Sequence, residues 1–180
     1  AARNPSRVGP EVSASTTIHE IKTLVQSRHP VVVIETVEEE RVRGIVASAA
    51  EQLRLPLFEW SLTQGLRRAE ERSQHSGITA EPVKVLAHLR DMTVEAIFLL
   101  HDMHAHLRDP MAERLFRDLS SRLARTHGTL ILIGAAVELP AAIEAEAVRV
   151  DMALPGRHEL AAVLNAVLRS TGALVQDGVR

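Results

Sequence analysis

The sequence predicts an α/β domain: a three-layer α/β/α sandwich built on a mainly parallel, five-stranded sheet. Two observations predict this fold class. Short runs of β-branched and aliphatic residues recur along the chain with no polar residue inside them, as in strands that are buried on both faces. Segments with apolar residues at helical spacing alternate with these runs, and right-handed crossovers then place helices on both sides of the sheet. With 180 residues, the chain is long enough for one such domain.

The first half of the chain supplies two of the predicted strands. Residues 1–15 are polar and without a period, and we interpret them as a flexible tail or linker. A helix with capping-box spacing is predicted to begin at Thr17 and to end before Pro30. A strand, a helix and a second strand then follow, over residues 31–34, 38–53 and 56–61.

The second half supplies the other three strands. Residues 62–81 are charged and fit no single element, although 67–72 could be helical. Three further helices and three strands alternate beyond this stretch, with the helices beginning near Pro82, Pro110 and Gly156 and the strands at residues 96–100, 129–134 and 148–151. The domain is therefore predicted to span 16–170, with 171–180 as a tail or a linker to a further C-terminal domain.

The composition excludes several classes of function. The net charge is −2, and basic residues are interspersed with acids, so neither a nucleic-acid surface nor an anionic-membrane surface is predicted. The chain has no cysteine, which excludes disulfides, thiolate metal sites and cysteine nucleophiles. No apolar run reaches 18 residues and no signal peptide is visible, so we predict a cytoplasmic protein.

The segment after the first strand decides whether this sheet can bind a nucleotide. A P-loop enzyme has a glycine-rich loop here that ends in Gly-Lys-Ser/Thr, because its backbone N–H groups and its lysine hold the phosphates. Residues 35–41 are ETVEEER, with no glycine, no lysine and three acids, Glu38, Glu39 and Glu40, at the start of the next helix. Such acids complement the helix dipole but repel phosphate. We therefore predict that ATP does not bind this loop and that the domain has no cofactor.

The residues at the ends of two later strands support the same prediction. A Walker-B strand ends in an acid that holds Mg²⁺, usually followed by a second acid. Here His101 takes the first position and Asp102 the second, and imidazole is a poor ligand for Mg²⁺. The next strand ends in Gly134, Ala135 and Ala136, which offer no polar side chain to a γ-phosphate. We predict no catalytic residue at these positions.

A cluster of histidines raises a metal site as an alternative. The residues are His101, Asp102, His104 and His106, and a His-x-x-His spacing with a carboxylate could hold zinc. Residues that follow a strand end need not point the same way, however. The sequence favours solvated or capping histidines, and no metal is predicted.

Two motifs carry a resemblance to a known family. These are E-T-x-E-E-x-R after the first strand, within VVVIETVEEERV, and W-S-[LIV]-T-x-G after the second, within LFEWSLTQGL. With AIFLLHDMHAHL and TLILIGAAVELP, they make the chain similar, over about residues 16–170, to the N-terminal region of the Ycf-type AAA-family ATPases. The resemblance implies a degenerate AAA-like domain of the P-loop-NTPase fold, followed in the family by an AAA domain that keeps its Walker motifs.

The resemblance also implies what the individual positions have lost. The vestigial nucleotide face falls on Glu35, Thr36, Glu38, Glu39, Glu40, Arg41, His101 and Asp102, and the sensor position falls on Ala135 or Ala136. It implies a fragment that is not an enzyme, and a role in inter-domain, oligomer or target-protein interaction and regulation. The expected partners are its own C-terminal AAA domain, other subunits or a target protein. Two alternatives stay open: a nucleotide-binding domain with an unusual pocket, and a His/Asp metal enzyme.

Overall fold

The computed structural model describes residues 14–69, 79–152 and 157–170. One sheet runs through it, with strands β1 Val31–Glu35, β2 Leu57–Ser61, β3 Gly65–Arg68, β4 Ile97–His101, β5 Thr129–Gly134 and β6 Ala147–Arg149. Their spatial order is β3-β2-β4-β5-β1-β6. Every neighbouring pair is parallel except β2 and β3, which form an antiparallel hairpin. The predicted mainly parallel sheet is confirmed, with one strand more than expected.

Helices cover both faces of this sheet. They are α1 Ala14–Gln26, α2 Glu39–Leu53, α3 Pro82–Asp91, α4 Pro110–Leu123, α5 Ala141–Glu144 and α6 Arg157–Ser170. Alternate residues of β1 point to opposite faces, so Val32 and Ile34 pack with α1 and α2, whereas Val31 and Val33 pack with α3 and α4. Both faces of β1, β4 and β5 are buried in apolar cores, which is why the interiors of these strands are apolar. Among the described helices, none is both long and apolar enough to cross a membrane.

Three details differ from the sequence-based prediction. Helix α1 already includes Ala14 and Ser15, so Thr17 is an interior residue of the helix and does not cap it. Its side chain is buried, with 1% exposure. Arg67 and Arg68 lie in β3, so the helical interpretation of 67–72 is wrong for these two residues, and 70–72 lie outside the described residues. The last strand is Ala147–Arg149, one residue earlier than predicted and two residues shorter at its end.

The β2–β3 hairpin explains the motif WSLTQG in structural terms. Trp60 is 1% exposed and its Nε1 donates a hydrogen bond to the carbonyl oxygen of Thr79 at 2.7 Å. The Ser61 hydroxyl accepts from the backbone N–H of Gln64 at 3.2 Å, and Gly65 has φ 68°, in the left-handed region that favours glycine. The motif therefore specifies a buried anchor followed by a tight turn.

Candidate functional site

Ligands of open parallel sheets bind at the carboxyl ends of the strands, at the point where the strand order reverses. Here that point lies between β1 and β5, because the chain leaves β1 toward β2 and leaves β5 toward β6, on the opposite side. Glu35, at the end of β1, is in register with Gly134, at the end of β5. His101 ends the next strand along, β4, in register with Ile133. The predicted nucleotide-face positions are therefore gathered at one edge of the sheet.

An arginine of the protein itself is bonded to the end of β1, on the side of β6. Arg149 of β6 donates from Nη1 to Glu35 Oε1 at 2.7 Å and from Nε and Nη2 to the two carboxylate oxygens of Glu144, each at 2.9 Å. Its Nη2 also donates to the carbonyl oxygen of Val137 at 2.9 Å, and the Val137 N–H donates to Glu35 Oε1 at 3.1 Å. We call these four residues the Arg149 clamp. It joins β1, β6, α5 and the loop after β5.

The clamp shifts the pKa values of its own charged groups. Two hydrogen bonds, first from the Val137 N–H and then from Arg149, lower the pKa of Glu35. The hydrogen bond from Arg149 lowers the pKa of Glu144, and the two carboxylates together raise the pKa of Arg149. All three groups are therefore ionised at neutral pH. A phosphate group at this point would lie beside the carboxylates of Glu35 and Glu144. The guanidinium group of Arg149 would already be bonded to both of them.

The segment between β1 and α2 uses its backbone N–H groups internally. The Thr36 N–H donates to the carbonyl oxygen of Gly134 at 2.8 Å, and the Glu38 N–H donates to Thr36 Oγ1 at 2.9 Å. Glu39 and Glu40 occupy the first turn of α2, and Arg41 pairs with Glu38 at 3.0 Å. The acids thus lie at a helix start, as predicted, and these two N–H groups, which a phosphate-binding loop would turn toward its ligand, are already bonded.

His101 and Asp102 follow the end of β4 but face different surroundings. The His101 Nδ1 atom lies 2.9 Å from Glu39 Oε2, so this side chain links β4 to the start of α2. Asp102 has φ 52°, a left-handed conformation, and its N–H donates to the carbonyl oxygen of Ile133. Its carboxylate makes no side-chain hydrogen bond with the residues that the structure describes.

The other two histidines pack against separate neighbours. A Cβ atom added to Gly134 would lie 2.6 Å from His104 Cε1, so the imidazole sits directly against the end of β5. The ring of His106 meets Trp60 edge-on, with centroids 6.3 Å apart. Within residues 14–69, 79–152 and 157–170, no three His, Asp or Glu side chains are arranged to hold a metal ion. The four candidate metal ligands are near in sequence but do not form one coordination site.

A second polar site lies beside α2 and was not predicted. Glu59, in the middle of β2, is 2% exposed and accepts from Arg43 Nε at 2.8 Å and from Arg67 Nη2 at 2.7 Å. A cleft of about 280 Å³ opens above this group, lined by Glu39, Glu40, Arg43, Glu59, Trp60, Ser61, Thr63, Gln64, Arg67, His101 and Asp102. The signal in the sequence was a single glutamate between apolar residues of a strand, LFEWS, because a buried carboxylate needs a cationic partner.

Comparison with known proteins identifies the family. Residues 17–152 match the family described as SpoVK-like AAA ATPase, N-terminal domain. The chain is 24% identical over 158 residues to a Guillardia theta protein named "Uncharacterized AAA domain-containing protein ycf46", covering 86% of this chain and 31% of that protein. The protein of the same name from Trieres chinensis is 25% identical over 154 residues, covering 84% of this chain and 31% of the relative. The chain thus spans about a third of the length of these curated relatives.

Two solved structures share the fold. A crystal structure of a DNA replication initiation factor has a TM-score of 0.61 at 10% identity, covering 96% of this chain and 55% of the other. The structure of C. elegans PCH-2 has a TM-score of 0.53 at 11% identity, covering 93% of this chain and 50% of the other. The predicted α/β fold of the P-loop-NTPase type and the predicted resemblance to the Ycf-type AAA proteins are both confirmed.

Proposed function

The chain belongs to the family of SpoVK-like AAA ATPase N-terminal domains, and we propose that it is a non-catalytic interaction and regulatory domain that does not bind ATP. Its partner is an ATPase region, either of its own polypeptide or of another subunit. In this proposal residues 16–170 form the domain, and the two ends of the chain are linkers. The site of action is the cytoplasm, which the lack of cysteine suits.

The Arg149 clamp is the observation that carries the proposal. A nucleotide needs free backbone N–H groups and unpaired cations at the end of β1. Here the Thr36 and Glu38 N–H groups donate within the chain, and Arg149 is already paired with Glu35 and Glu144. Binding of a triphosphate would have to break these contacts and leave Glu35 facing phosphate. The clamp therefore supports a vestigial nucleotide face.

The magnesium position supports the same proposal. The first Walker-B position is held by His101, whose Nδ1 faces Glu39 and not the end of β1. The neighbouring strand ends at Gly134, against which His104 packs closely. Neither strand end offers the pair of acids that would hold Mg²⁺ and orient a water.

Exposed apolar side chains at the same edge support a role in protein binding. Val37, in the loop after β1, is 83% exposed, and Leu62, in the turn after β2, is 53% exposed. Both follow the carboxyl ends of strands in the same sheet, and charged residues of α2 lie between them in the chain. Exposed apolar side chains at one edge of a sheet are available for contact with a partner protein. We propose that the ATPase region contacts this edge.

Nucleotide titration tests the proposal directly. A ligand at a hundredfold excess over its Kd would add about 2.7 kcal/mol of stability and so raise the melting temperature. Because we propose that ATP does not bind, we expect millimolar Mg-ATP to leave the melting temperature of the chain unchanged. The Arg149→Met variant is the matched comparison, since it breaks the clamp and should also show no ATP response while Glu35 remains. A Mg²⁺-dependent rise in the melting temperature of the wild-type chain would contradict the proposal and restore a nucleotide-binding role.

A further inference from the structure

The cleft between the start of α2 and the β2–β3 hairpin has an excess of positive charge at its floor. Arg43 and Arg67 share the one buried carboxylate of Glu59, each through a single short hydrogen bond. Their side chains are 34% and 33% exposed, whereas that of Glu59 is 2% exposed. The other guanidinium nitrogens of these two arginines make no hydrogen bond with the described residues. Two planar donors therefore face the cleft with part of their bonding capacity unused.

The mouth of the cleft has the opposite charge. The side chain of Glu40 is 90% exposed and lies 4.0 Å from Arg43 Nη1, too far for a hydrogen bond. Asp102 is also exposed, but its Oδ1 atom lies toward the end of β5, 3.0 Å from the position that a Cβ atom on Gly134 would take. Glu39, by contrast, is engaged with His101. The cleft is thus positive at depth and negative at its rim.

The dimensions limit the ligand to a small molecule. The volume is about 280 Å³, at the lower end of ligand pockets, which run from about 300 to 1,000 Å³. One wall is the polar turn of the hairpin, with Ser61, Thr63 and Gln64. A nucleotide is too large and carries only negative charge. A small zwitterion matches both the size and the two charges.

We propose that this cleft binds a free α-amino acid. The carboxylate of the ligand accepts from the N–H groups of Arg43 and Arg67 that do not bond to Glu59, and its ammonium group lies beside Glu40. Charge-assisted hydrogen bonds of this kind are the strong ones, and guanidinium groups suit carboxylates in particular. The site is separate from the Arg149 clamp, and the proposal stands whether or not the domain contacts an ATPase region. In a regulatory role of the domain, the bound amino acid would be the signal.

The single tryptophan gives a direct test, because Trp60 lines the cleft and the chain has no other tryptophan or tyrosine. The probes are the proteinogenic amino acids that do not fluoresce themselves, each titrated to millimolar concentration. We expect at least one of them to change the fluorescence of Trp60 saturably. For alanine the matched probes are propionate, which lacks the ammonium group, and ethylamine, which lacks the carboxylate. Both should bind at least about tenfold more weakly than the zwitterion, because each loses one charged contact. No response across the panel, or equal binding of propionate, would overturn the proposal.

Variants locate the site. Arg67→Lys keeps the charge but loses the planar pair of donors, and we expect about tenfold weaker binding. Glu40→Gln removes an exposed rim charge without touching the core and should weaken binding severalfold, while Glu51→Gln, near the other end of α2, should bind like the wild type. If the Arg67→Lys variant has a lowered melting temperature, the affinity of the Glu40→Gln variant still tests the location of the site. Wild-type affinity in Glu40→Gln and Arg67→Lys, with both variants folded, would place any ligand elsewhere and refute the assignment.

Discussion

Single residues at the end of β5 and β6 decide what this edge of the sheet can hold. Gly134 has no side chain, and His104 fills the space beside it. Arg149 donates hydrogen bonds to Glu35 and Glu144 on the other side of β1. The glycine was visible in the sequence, but its neighbour His104 was not, because the two are brought together only by the turn after β4. The contacts at these two residues are tertiary, and spacing along the chain does not encode them.

Substitution of Gly134 tests the contact with His104. We expect Gly134→Ala to lower the free energy of unfolding by about 1 to 3 kcal/mol, since the new Cβ overlaps a partly buried imidazole. Gly44→Ala is the matched control: no atom lies within 4 Å of its Cβ position and the residue is helical, so it should stabilise by up to about 1 kcal/mol. Urea denaturation measures both. The double variant Gly134→Ala, His104→Ala should recover part of the loss, and a purely additive cycle would argue against the contact.

The Arg149 clamp predicts a dependence of stability on pH. The folded protein holds the pKa values of Glu35 and Glu144 below their ordinary 4.5, so these groups stabilise the fold above about pH 4.5 and lose that effect as the pH falls through the lowered values. Arg149→Met should cost about 1 kcal/mol near pH 7, a small value because the groups are half-exposed. In urea unfolding from pH 3 to pH 7, the gap between wild type and variant should close toward the acidic end. A gap of constant size would show that the clamp acts through packing alone.

At the scale of the elements, the sequence predicted the strands with buried faces and missed the one at the exposed edge. The runs VVVIE and TLILIG are apolar because both faces of β1 and β5 are covered, and this pattern does not depend on knowing the partners. Strand β3 is short and carries two arginines, so neither periodicity nor apolar content distinguishes it from a loop. It forms because Gly65 closes a tight turn and Arg67 finds Glu59 on the neighbouring strand. That pairing depends on tertiary structure.

The Glu59 group holds this hairpin to α2, and its removal should be strongly non-additive. Arg43→Met or Arg67→Met alone leaves Glu59 with one cation, and we expect a loss of about 1 to 2 kcal/mol from each. The double variant leaves a buried carboxylate without a partner and should lose more than the sum, at about 3 to 5 kcal/mol. Adding Glu59→Gln to the double variant should restore part of the stability. Chemical denaturation of the wild type and these four variants measures the losses, and purely additive losses would indicate a simple packing effect.

At the scale of the whole molecule, the sequence predicts the fold better than it predicts the contacts at the carboxyl ends of the strands. The apolar pattern that builds a parallel sheet is intact, so the fold class and the family could be predicted from sequence. The polar residues at the carboxyl ends bond to one another across distances of up to 114 residues in the chain, and these contacts could not be predicted. The absence of a Gly-Lys-Ser/Thr sequence after β1 is visible in ETVEEER alone. The contact of Arg149 with Glu35 could not be predicted, because Arg149 lies on a strand whose neighbour is fixed only by topology.

The proposed interface is tested at this scale by two exposed residues at the same edge. We expect the variant Val37→Ser, Leu62→Ser to bind an ATPase region of the same family, supplied as a separate chain, at least about tenfold more weakly than the wild type, since two apolar anchors are lost. Val94→Ser is the matched control, because Val94 is 37% exposed and lies between α3 and β4, at the opposite edge of the sheet. Binding is measured by calorimetry, with melting curves to show that each variant is folded. Equal affinity of the double variant and the control would move the interface away from the carboxyl edge, and the regulatory role would then need another surface.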